Sequence, residues 1–591
     1  MKLSDYVMEF LAEKNVKNVF MLPGGGCMHL VDSLGKNKKI EYICCLHEQA
    51  AAIAAESYAQ HKNELGAVLV TTGPGGTNAI TGLTAAWIDS TPVLFISGQV
   101  KRSDLMGNSG VRQMGPQEVN IVPVVESLTK YAKTITEPKQ IRYEMEKAYH
   151  LAMTGRKGPV WLDIPLDVQA AEINVESLAA FISEDTNMGV IEAADISKIT
   201  SLIKAAKRPL VLVGNGVKLA GATNELKQFI HKAQIPFLLT WKTIDMFGYD
   251  ESNYFGCPGG MGHRYANFIL QNSDLLIILG SRLDCSLTAF NHENFAPRAK
   301  KIMIDIDEHE INKLQMKFAV KLVADVKDVL ETINKQTIHI DKKALGEWLK
   351  YCNKMKEKYP VVMPEYYEDK DYVNAYAFVD ALCSQLTKED VIVPESSGGA
   401  GEITYQALKV KAGQKIKNAA GLGSMGFGLP YALGACIANE RKRTILVNGD
   451  GAFQLNIQEL STIVQHKLPI KMFIWNNGGY ASIMGTQRNF FDGNYVASNA
   501  ETKLCLPNIT KVAQAYGFKT FALDESEAIH EIIHKVLTTD GPVLCEVRIS
   551  PEQVAMPRVK ATKLRNGNMI SKPLEDMWPY LDEDELRGNM L

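Results

Sequence analysis

The stretch that decides the fold is Thr444-Ile-Leu-Val-Asn448-Gly449-Asp450-Gly451-Ala452-Phe453, together with a second apolar run, Met472-Phe-Ile-Trp475, that leads into Asn476-Asn477. Each begins as a short apolar run and stops at small or polar residues, the pattern of a strand buried on both faces of a parallel sheet. Open α/β sheets bind ligands outside the carboxyl ends of their strands. Both turns therefore stand where a ligand sits, with 24 residues between Gly451 and Asn476. Asp450 offers a hard anionic oxygen and Asn477 a neutral carbonyl, while the glycines let the backbone approach phosphate. That is the donor set for Mg²⁺ bridging a diphosphate. A lone Gly-Asp-Gly is an ordinary turn; two such strand ends at this spacing are a site.

The same pattern recurs outward. Residues 19–22, 67–70, 93–96, 210–213, 275–279, 302–306 and 391–393 are short apolar runs separated by amphipathic stretches of helix length. They predict an α/β protein of doubly wound parallel sheets. Residues 171–190 turn acidic and small, and residues 341–370 turn charged and Tyr-rich around a Lys-heavy helix, so both read as linkers. The expected units are domains at 1–170, 191–340 and 371–550, with a tail at 551–591. Gly158-Pro-Val-Trp-Leu-Asp-Ile164 closes the first domain and Gly541-Pro-Val-Leu-Cys-Glu-Val547 the third. The like endings suggest two copies of one fold around a shared ligand, the other reading being a chance match of two Gly-Pro-Val strands.

The 591 residues are 46% apolar and 22% charged, which excludes disordered and fibrous classes. With 64 Lys and Arg against 67 Asp and Glu, no basic excess exists to neutralise a nucleic-acid backbone. The 10 cysteines form no Cys-x-x-Cys pair, so reduced thiols in a cytoplasm are expected rather than a zinc site or disulfide framework. No apolar run approaches the roughly 18 residues of a membrane span. The N-terminus reads as a helix, with Val7, Phe10 and Leu11 at helical spacing after a cap at Ser4, and not as a signal peptide. A cytoplasmic enzyme with no nucleic-acid or membrane partner is the expectation.

The Gly-Asp-Gly and Asn-Asn turns at this spacing resemble the signature of thiamine diphosphate (ThDP) enzymes, and the resemblance to the acetolactate synthase-like (acetohydroxyacid synthase large subunit) family extends over nearly the whole chain. It implies three doubly wound domains: pyrimidine-binding (PYR), central, and diphosphate-binding (PP). It also implies that Asp450, Asn477 and the carbonyl of Gly479 ligate Mg²⁺, that Gly449, Gly451, Ala452 and Tyr480 line the cofactor, and that the chain is a homodimer or homotetramer.

Leu46-His47-Glu48-Gln49-Ala50-Ala51 is not a His-Glu-x-x-His zinc motif, since Ala51 stands where the second His would be. In isolation it reads as a structural glutamate at a strand-to-helix turn. The resemblance, with Pro23-Gly24-Gly25-Gly26 upstream, gives Glu48 the task of bonding N1′ of the aminopyrimidine; it places Gly25 at the cofactor and Gly26 at the substrate. A carboxyl in a dry pocket that shares its proton with N1′ draws the 4′-amino group toward its imino form and so removes the proton from thiazolium C2.

Gly421-Leu-Gly423-Ser-Met-Gly426 fits Gly-x-Gly-x-x-Gly, but the residues before it are polar and short, and no acid ends a second strand at the required distance. In the resembled family this run carries the Met that wedges between the two ThDP rings, which assigns that role to Met425 and a cofactor contact to Gly423. Thr71-Thr72-Gly73-Pro74-Gly75-Gly76-Thr77-Asn78 has the form of an anion-binding turn, yet in the family it lines the substrate end, so Thr72 joins the substrate pocket. Ser397 and Gly398 take the diphosphate loop, and Gln117 is carried over as catalytic.

In the central domain, Gly280-Ser-Arg282-Leu-Asp284 and Asp305-Ile-Asp307 resemble segments that hold flavin adenine dinucleotide (FAD), with Arg282 and Asp305 as contacts. After the first Asp the family continues Asp-Arg-Val-Thr-Gly, whereas this chain has Cys285-Ser-Leu-Thr288-Ala289; FAD is one reading and a surface ion pair of Arg282 the other. Pro116 replaces a Phe, and Gly485-Thr486-Gln487 replaces Gln-Trp-Gln. A ring that excludes space becomes a small hydroxyl residue, which predicts a larger, more polar acceptor pocket around Thr486. The expected activity is decarboxylation of a 2-oxo acid, pyruvate preferred, and ligation of the acyl carbanion to a carbonyl acceptor such as a nucleotide-linked keto sugar. Alternatives are a true acetolactate synthase, a non-ligating decarboxylase, which the lack of a His-His pair disfavours, a ThDP-dependent hydrolase, and a non-catalytic structural paralogue. The run Ile570-Ser-Lys572-Pro573-Leu-Glu-Asp-Met577 reads as a tail closing over the site or as an interaction helix.

Overall fold

In the computed structural model, which describes all residues except 184–190, 315 and 564–568, three parallel sheets carry the chain. The first holds β1 (Asn18–Met21), β2 (Glu41–Cys44), β3 (Gly66–Val70), β4 (Val93–Gln99), β5 (Tyr131–Thr134) and β6 (Val160–Pro165), in the order β2-β1-β3-β4-β6-β5. The second holds β7 (Pro209–Val213), β8 (Phe237–Leu239), β9 (Leu275–Leu279), β10 (Lys300–Asp305) and β11 (Val320–Val323), in the order β11-β10-β9-β7-β8. The third holds β12 (Val391–Pro394), β13 (Lys415–Ile416), β14 (Thr444–Gly449), β15 (Ile470–Asn476), β16 (Lys519–Leu523) and β17 (Val543–Arg548), in the order β13-β12-β14-β15-β17-β16. Counted from its own first strand, the third sheet repeats the order of the first. The Gly-Pro-Val pairs open β6 and β17, which occupy the same place in the two sheets. Strand order reverses between β1 and β3, between β7 and β9, and between β12 and β14, and at such switch points a parallel sheet opens a crevice.

The helix after β2, Glu48–Lys62, packs on the helix after β13, Gly428–Ala438. They approach at their seventh residues, Ala54 and Gly434, where a Cβ on Gly434 would overlap the Ala54 carbonyl; nearby, Ser57 Oγ donates to the Tyr431 carbonyl at 2.6 Å. The close approach is possible because Ala50, Ala51, Ala52, Ala54 and Ala55 put no bulk on the buried surface. Equivalent elements meeting at equivalent residues form a self-complementary, quasi-twofold contact within one chain.

The helix Leu3–Glu13 buries Val7, Phe10 and Leu11, but Ser4 does not cap it. Ser4 lies buried inside the first turn, accepting from Ser33 Oγ at 2.9 Å, and Lys2 holds the N-cap position without a side-chain bond. Residues 171–183 run along the first domain: Leu3 N donates to the Ala171 carbonyl at 2.8 Å, Ile173 N to that of Met1 at 2.9 Å, and Leu178 is buried. The rest of that expected linker, 184–190, lies outside the described residues. In the segment 341–370, the helix Lys342–Lys358 packs on the central domain through buried Trp348, which donates to the Pro209 carbonyl at 3.0 Å. The tail docks there too, with Leu574 and Met577 buried and Asn267 Nδ2 donating to the Leu574 carbonyl at 3.0 Å. Its run at 570–577 starts in the strand Met569–Ser571, paired with Ala561–Lys563, and is not an interaction helix. No helix among the described residues is long and apolar enough to cross a membrane.

Candidate active site

Neighbouring strands β14 and β15 end together, and their turns converge on Asp450. Asp450 opens the short helix Asp450–Phe453; its Oδ1 accepts from Gly451 N at 2.8 Å, and its Oδ2 from Gly478 N and Gly479 N, each at 3.1 Å. Burial pushes this carboxyl up to about 6, and the backbone N–H groups of Gly451, Gly479, Gly478 and Asn477 oppose the rise. One amide atom of Asn477 lies 3.2 Å from Asp450 Oδ1 and 2.8 Å from the Gly479 carbonyl oxygen. As nitrogen it donates to both. Turned by half a rotation, it brings a third oxygen to the same point. Adjacent ligands of an octahedral cation with bonds of about 2.1 Å sit about 3.0 Å apart, so the Asn477 amide oxygen would have the spacing that Mg²⁺ requires from each of the other two oxygens. Among the described residues no group of three His, Cys, Asp or Glu side chains is placed for a metal. One carboxylate with two neutral oxygens suits a hard cation that also binds phosphate.

The remaining sequence-assigned PP residues gather around this point. A Cβ on Gly451 would strike the Tyr480 ring, so the backbone at 449–452 presses against Tyr480. Gly398, at φ +72, precedes the helix Gly399–Ala407, and a Cβ there would come within 3.2 Å of Ser482 Oγ; Gly398, next to Ser397 in the chain, therefore stands beside the first turn of the helix Ala481–Phe490 that follows β15. Met425 is 39% exposed on a loop tied down directly after it. Glu395, the first residue after β12, accepts from Gly428 N at 3.1 Å, and Asn456 Nδ2 donates to the Gly426 carbonyl at 2.8 Å. Burial pushes the Glu395 carboxyl up to about 7. Gly423, at φ +64, faces open space to 3.9 Å.

The PYR residues form a second group, at the switch point of the first sheet. Glu48 begins its helix, is 6% exposed, and accepts from Asn78 Nδ2 at 3.0 Å through Oε2; the cap is His47, whose Nδ1 accepts from Gln49 N at 3.1 Å. Gly26 and Thr72 are in contact: a Cβ on Gly26 would overlap Thr72 Oγ1, a buried hydroxyl with no protein partner. Gln117, in the left-handed region at φ +62, lays its carbonyl against Gly73, which brings it to the same turn. Gly25 is exposed with no neighbour within 4 Å of its Cβ position. Asn456 Nδ2 joins the groups, donating to Gln49 Oε1 at 3.2 Å as well as to Gly426. Thr486 is exposed on the helix Ala481–Phe490, which leads directly from Tyr480. Sequence reasoning passed over Glu395, Asn456 and Asn78; for Glu395 the signal was an acid directly after an apolar strand.

Comparison with known proteins identifies the family. Models of the thiamine pyrophosphate enzyme N-terminal TPP binding domain, central domain and C-terminal TPP binding domain match residues 1–124, 196–333 and 397–547. The acetolactate synthase large subunit of Corynebacterium glutamicum is 32% identical over 588 residues, covering 98% of this chain and 91% of that protein. Those of Lactococcus lactis and Cyanidium caldarium are each 31% identical, covering 97% and 95% of this chain and 96% of each relative. The chain belongs to the thiamine pyrophosphate enzymes. It is an acetolactate synthase-like, ThDP-dependent enzyme whose chemistry is of the carboligase or lyase type, acting on small molecules such as 2-oxo acids.

In this ThDP enzyme a further cavity, of about 740 Å³, opens at the switch point between β7 and β9 of the central domain and is bounded by residues 88–90 and 153–157 of the first domain and by Ala420 and Gly421. Gly214, Gly216 and Gly280 line it with backbones so close that a Cβ on either of the first two would overlap Gly280. Arg282 and Asp305 line it as well. Arg282 Nη1 donates to the Ile88 carbonyl at 3.0 Å, a backbone partner and not the acid of a surface ion pair. Asp305 is 8% exposed at the end of β10, and burial raises its carboxyl above the usual range. The volume, glycine-lined floor and strand-end acid fit a nucleotide-sized cofactor.

Proposed function

We propose that the enzyme is a Mg²⁺-dependent decarboxylating carboligase that takes pyruvate as donor and a carbonyl acceptor larger than a 2-oxo acid, a nucleotide-linked keto sugar being one such class. The observation that carries the cofactor half is the convergence of Asp450 Oδ1, the Asn477 amide and the Gly479 carbonyl at the shared end of β14 and β15. Bound ThDP supplies a nucleophilic carbon and an electron sink. The chain's residues do the rest: Asp450, Asn477 and Gly479 hold the metal, Ser397, Gly398 and the 449–452 backbone face the diphosphate, and Met425 supports the bent cofactor. Glu48 exchanges the proton at N1′, and Gly26, Thr72 and Gln117 surround the substrate. Support for a large acceptor comes from Thr486, where a small, exposed hydroxyl shares a helix face with exposed Ile483 and Phe490. FAD in the central cavity and assembly as a dimer or tetramer belong to the same reading; visible flavin absorbance and the mass of the purified particle test them.

The deciding experiment is mass spectrometry of products from the purified protein with ThDP, Mg²⁺, pyruvate and a panel of carbonyl acceptors. Ligated product with a large acceptor is expected. Acetolactate alone overturns the enlarged pocket, carbon dioxide without ligation makes it a decarboxylase, and no carbon dioxide favours the hydrolase.

A further inference from the structure

Glu48 is gripped by a side chain from outside its own turn. Asn78 Nδ2 donates to Oε2 at 3.0 Å, while Oε1 lies 3.6 Å from the position a Cβ would take on Gly75. An amide N–H can only donate, so Oε2 is engaged as an acceptor and Oε1 is the oxygen left free to exchange a proton. With glycine at 75, no side chain covers Oε1 from that direction. Asn78 is itself well placed to orient another group. It closes the helix Pro74–Asn78, where Thr77 N donates to the Gly73 carbonyl at 3.0 Å and Ala79 N to that of Gly76 at 3.2 Å. Its outer side is exposed, so substitution there leaves the core untouched. The donor's neutrality also matters. A Lys or Arg at this place would hold the carboxyl ionised, whereas an amide fixes its orientation and leaves the proton free to move.

We propose that Asn78 is a positioning residue that makes Oε1 of Glu48 the single oxygen through which the proton passes. The proposal rests on the assignment of Glu48 to N1′ of the cofactor. It is tested in the holoenzyme with saturating ThDP and Mg²⁺, using Asn78→Ala and the near-isosteric Asn78→Asp, with Glu48→Gln as reference. Three quantities are read: ThDP affinity by calorimetry, the rate at which the C2 proton of bound ThDP exchanges for deuterium, and the pH midpoint of the near-ultraviolet circular-dichroism band of the aminopyrimidine's imino form. Affinity should stay within a few-fold of wild type, and exchange should fall about tenfold to a hundredfold. The midpoint should move in both variants, and to higher pH in Asn78→Asp, where a like charge is placed against the carboxyl. Wild-type exchange in Glu48→Gln would overturn the assignment of Glu48 itself. Slow exchange in Glu48→Gln with wild-type exchange and an unmoved midpoint in both Asn78 variants would overturn only the role of Asn78. Loss of ThDP affinity in both Asn78 variants would overturn it too, by making the residue structural.

Discussion

After β3 the chain turns at Gly73 into the helix Pro74–Asn78; after β14, at the same place in a sheet of the same order, it turns at Gly449 into the helix Asp450–Phe453. The first copy puts a neutral amide on that turn and takes its acid, Glu48, from the element after β2. The second puts the acid on the turn itself and surrounds it with backbone N–H groups from its own turn and from the neighbouring strand end. A carboxylate fixed by several backbone donors beside an amide and a carbonyl oxygen is held as a cation ligand. A buried carboxyl given one neutral side-chain donor is left able to pass a proton. On the proposed function, one fold, used twice, separates cofactor anchoring from proton transfer.

That division is broken or sharpened most directly by changing one acid at a time. Asp450→Ala should weaken ThDP binding by more than the roughly 10–100-fold typical of an outer-shell partner of a metal. Glu48→Gln should keep affinity within a few-fold and lose about two or more orders of magnitude in rate. Calorimetric titration beside steady-state kinetics separates the two; if Glu48→Gln lost affinity and Asp450→Ala kept it, the division would be wrong.

The contact between the copies comes next in size. A Cβ on Gly434 meets the backbone of Ala54, which cannot move aside as a flexible side chain would. Gly434→Ala should cost about 1–3 kcal/mol of stability by overpacking. Denaturant unfolding measures it, and an unchanged midpoint would mean the crossing is looser than the quasi-twofold contact implies.

What was legible in the sequence follows the same physics. The central strands β3, β4, β14 and β15 are buried almost end to end and announced themselves as apolar runs. Edge strands β2, β5 and β16 alternate or stay half-exposed, so no apolar run marks them. The convergence of the Asp450 and Asn477 turns was readable because both lie within two short stretches that end neighbouring strands. Asn456 was not, since it works by bonding the Gly426 carbonyl and Gln49 far away in sequence, and nothing in residue type reports such partners; Glu395 offered only its place after an apolar strand. Ser4 was misread for a related reason: a serine near a helix start looks like a cap unless its buried partner, Ser33, is known.

A smaller effect is expected at the acceptor end. Thr486→Trp restores the bulk that the sequence lacks, and should shift the product ratio toward small acceptors about tenfold, a modest steric discrimination. Competition between pyruvate and a bulky carbonyl acceptor reads the ratio directly; no shift would remove Thr486 from the pocket.

The smallest effect tests how alike the two copies are inside. The last residue of β4, Gln99, donates through Nε2 to Asp163 on β6 at 3.2 Å, and the last residue of β15, Asn476, donates through Nδ2 to Glu546 on β17 at 2.5 Å. The tie is the same, but Asp163 is 1% exposed and Glu546 is half-buried. Burial pushes the Asp163 carboxyl up to about 7, against the hydrogen bonds from Ser97, Gln99 and Thr134. The folded chain thus keeps a proton that the unfolded chain releases between about pH 4 and about pH 7. Binding more protons folded than unfolded makes stability fall as pH rises through that window, by at most about 1.4 kcal/mol per pH unit. The stability difference between wild type and Asp163→Asn should carry that slope, read from denaturant midpoints across the window. Glu546→Gln is the matched measurement in the other copy: an equally steep slope there would show that position in the sheet, and not depth of burial, sets the proton's affinity.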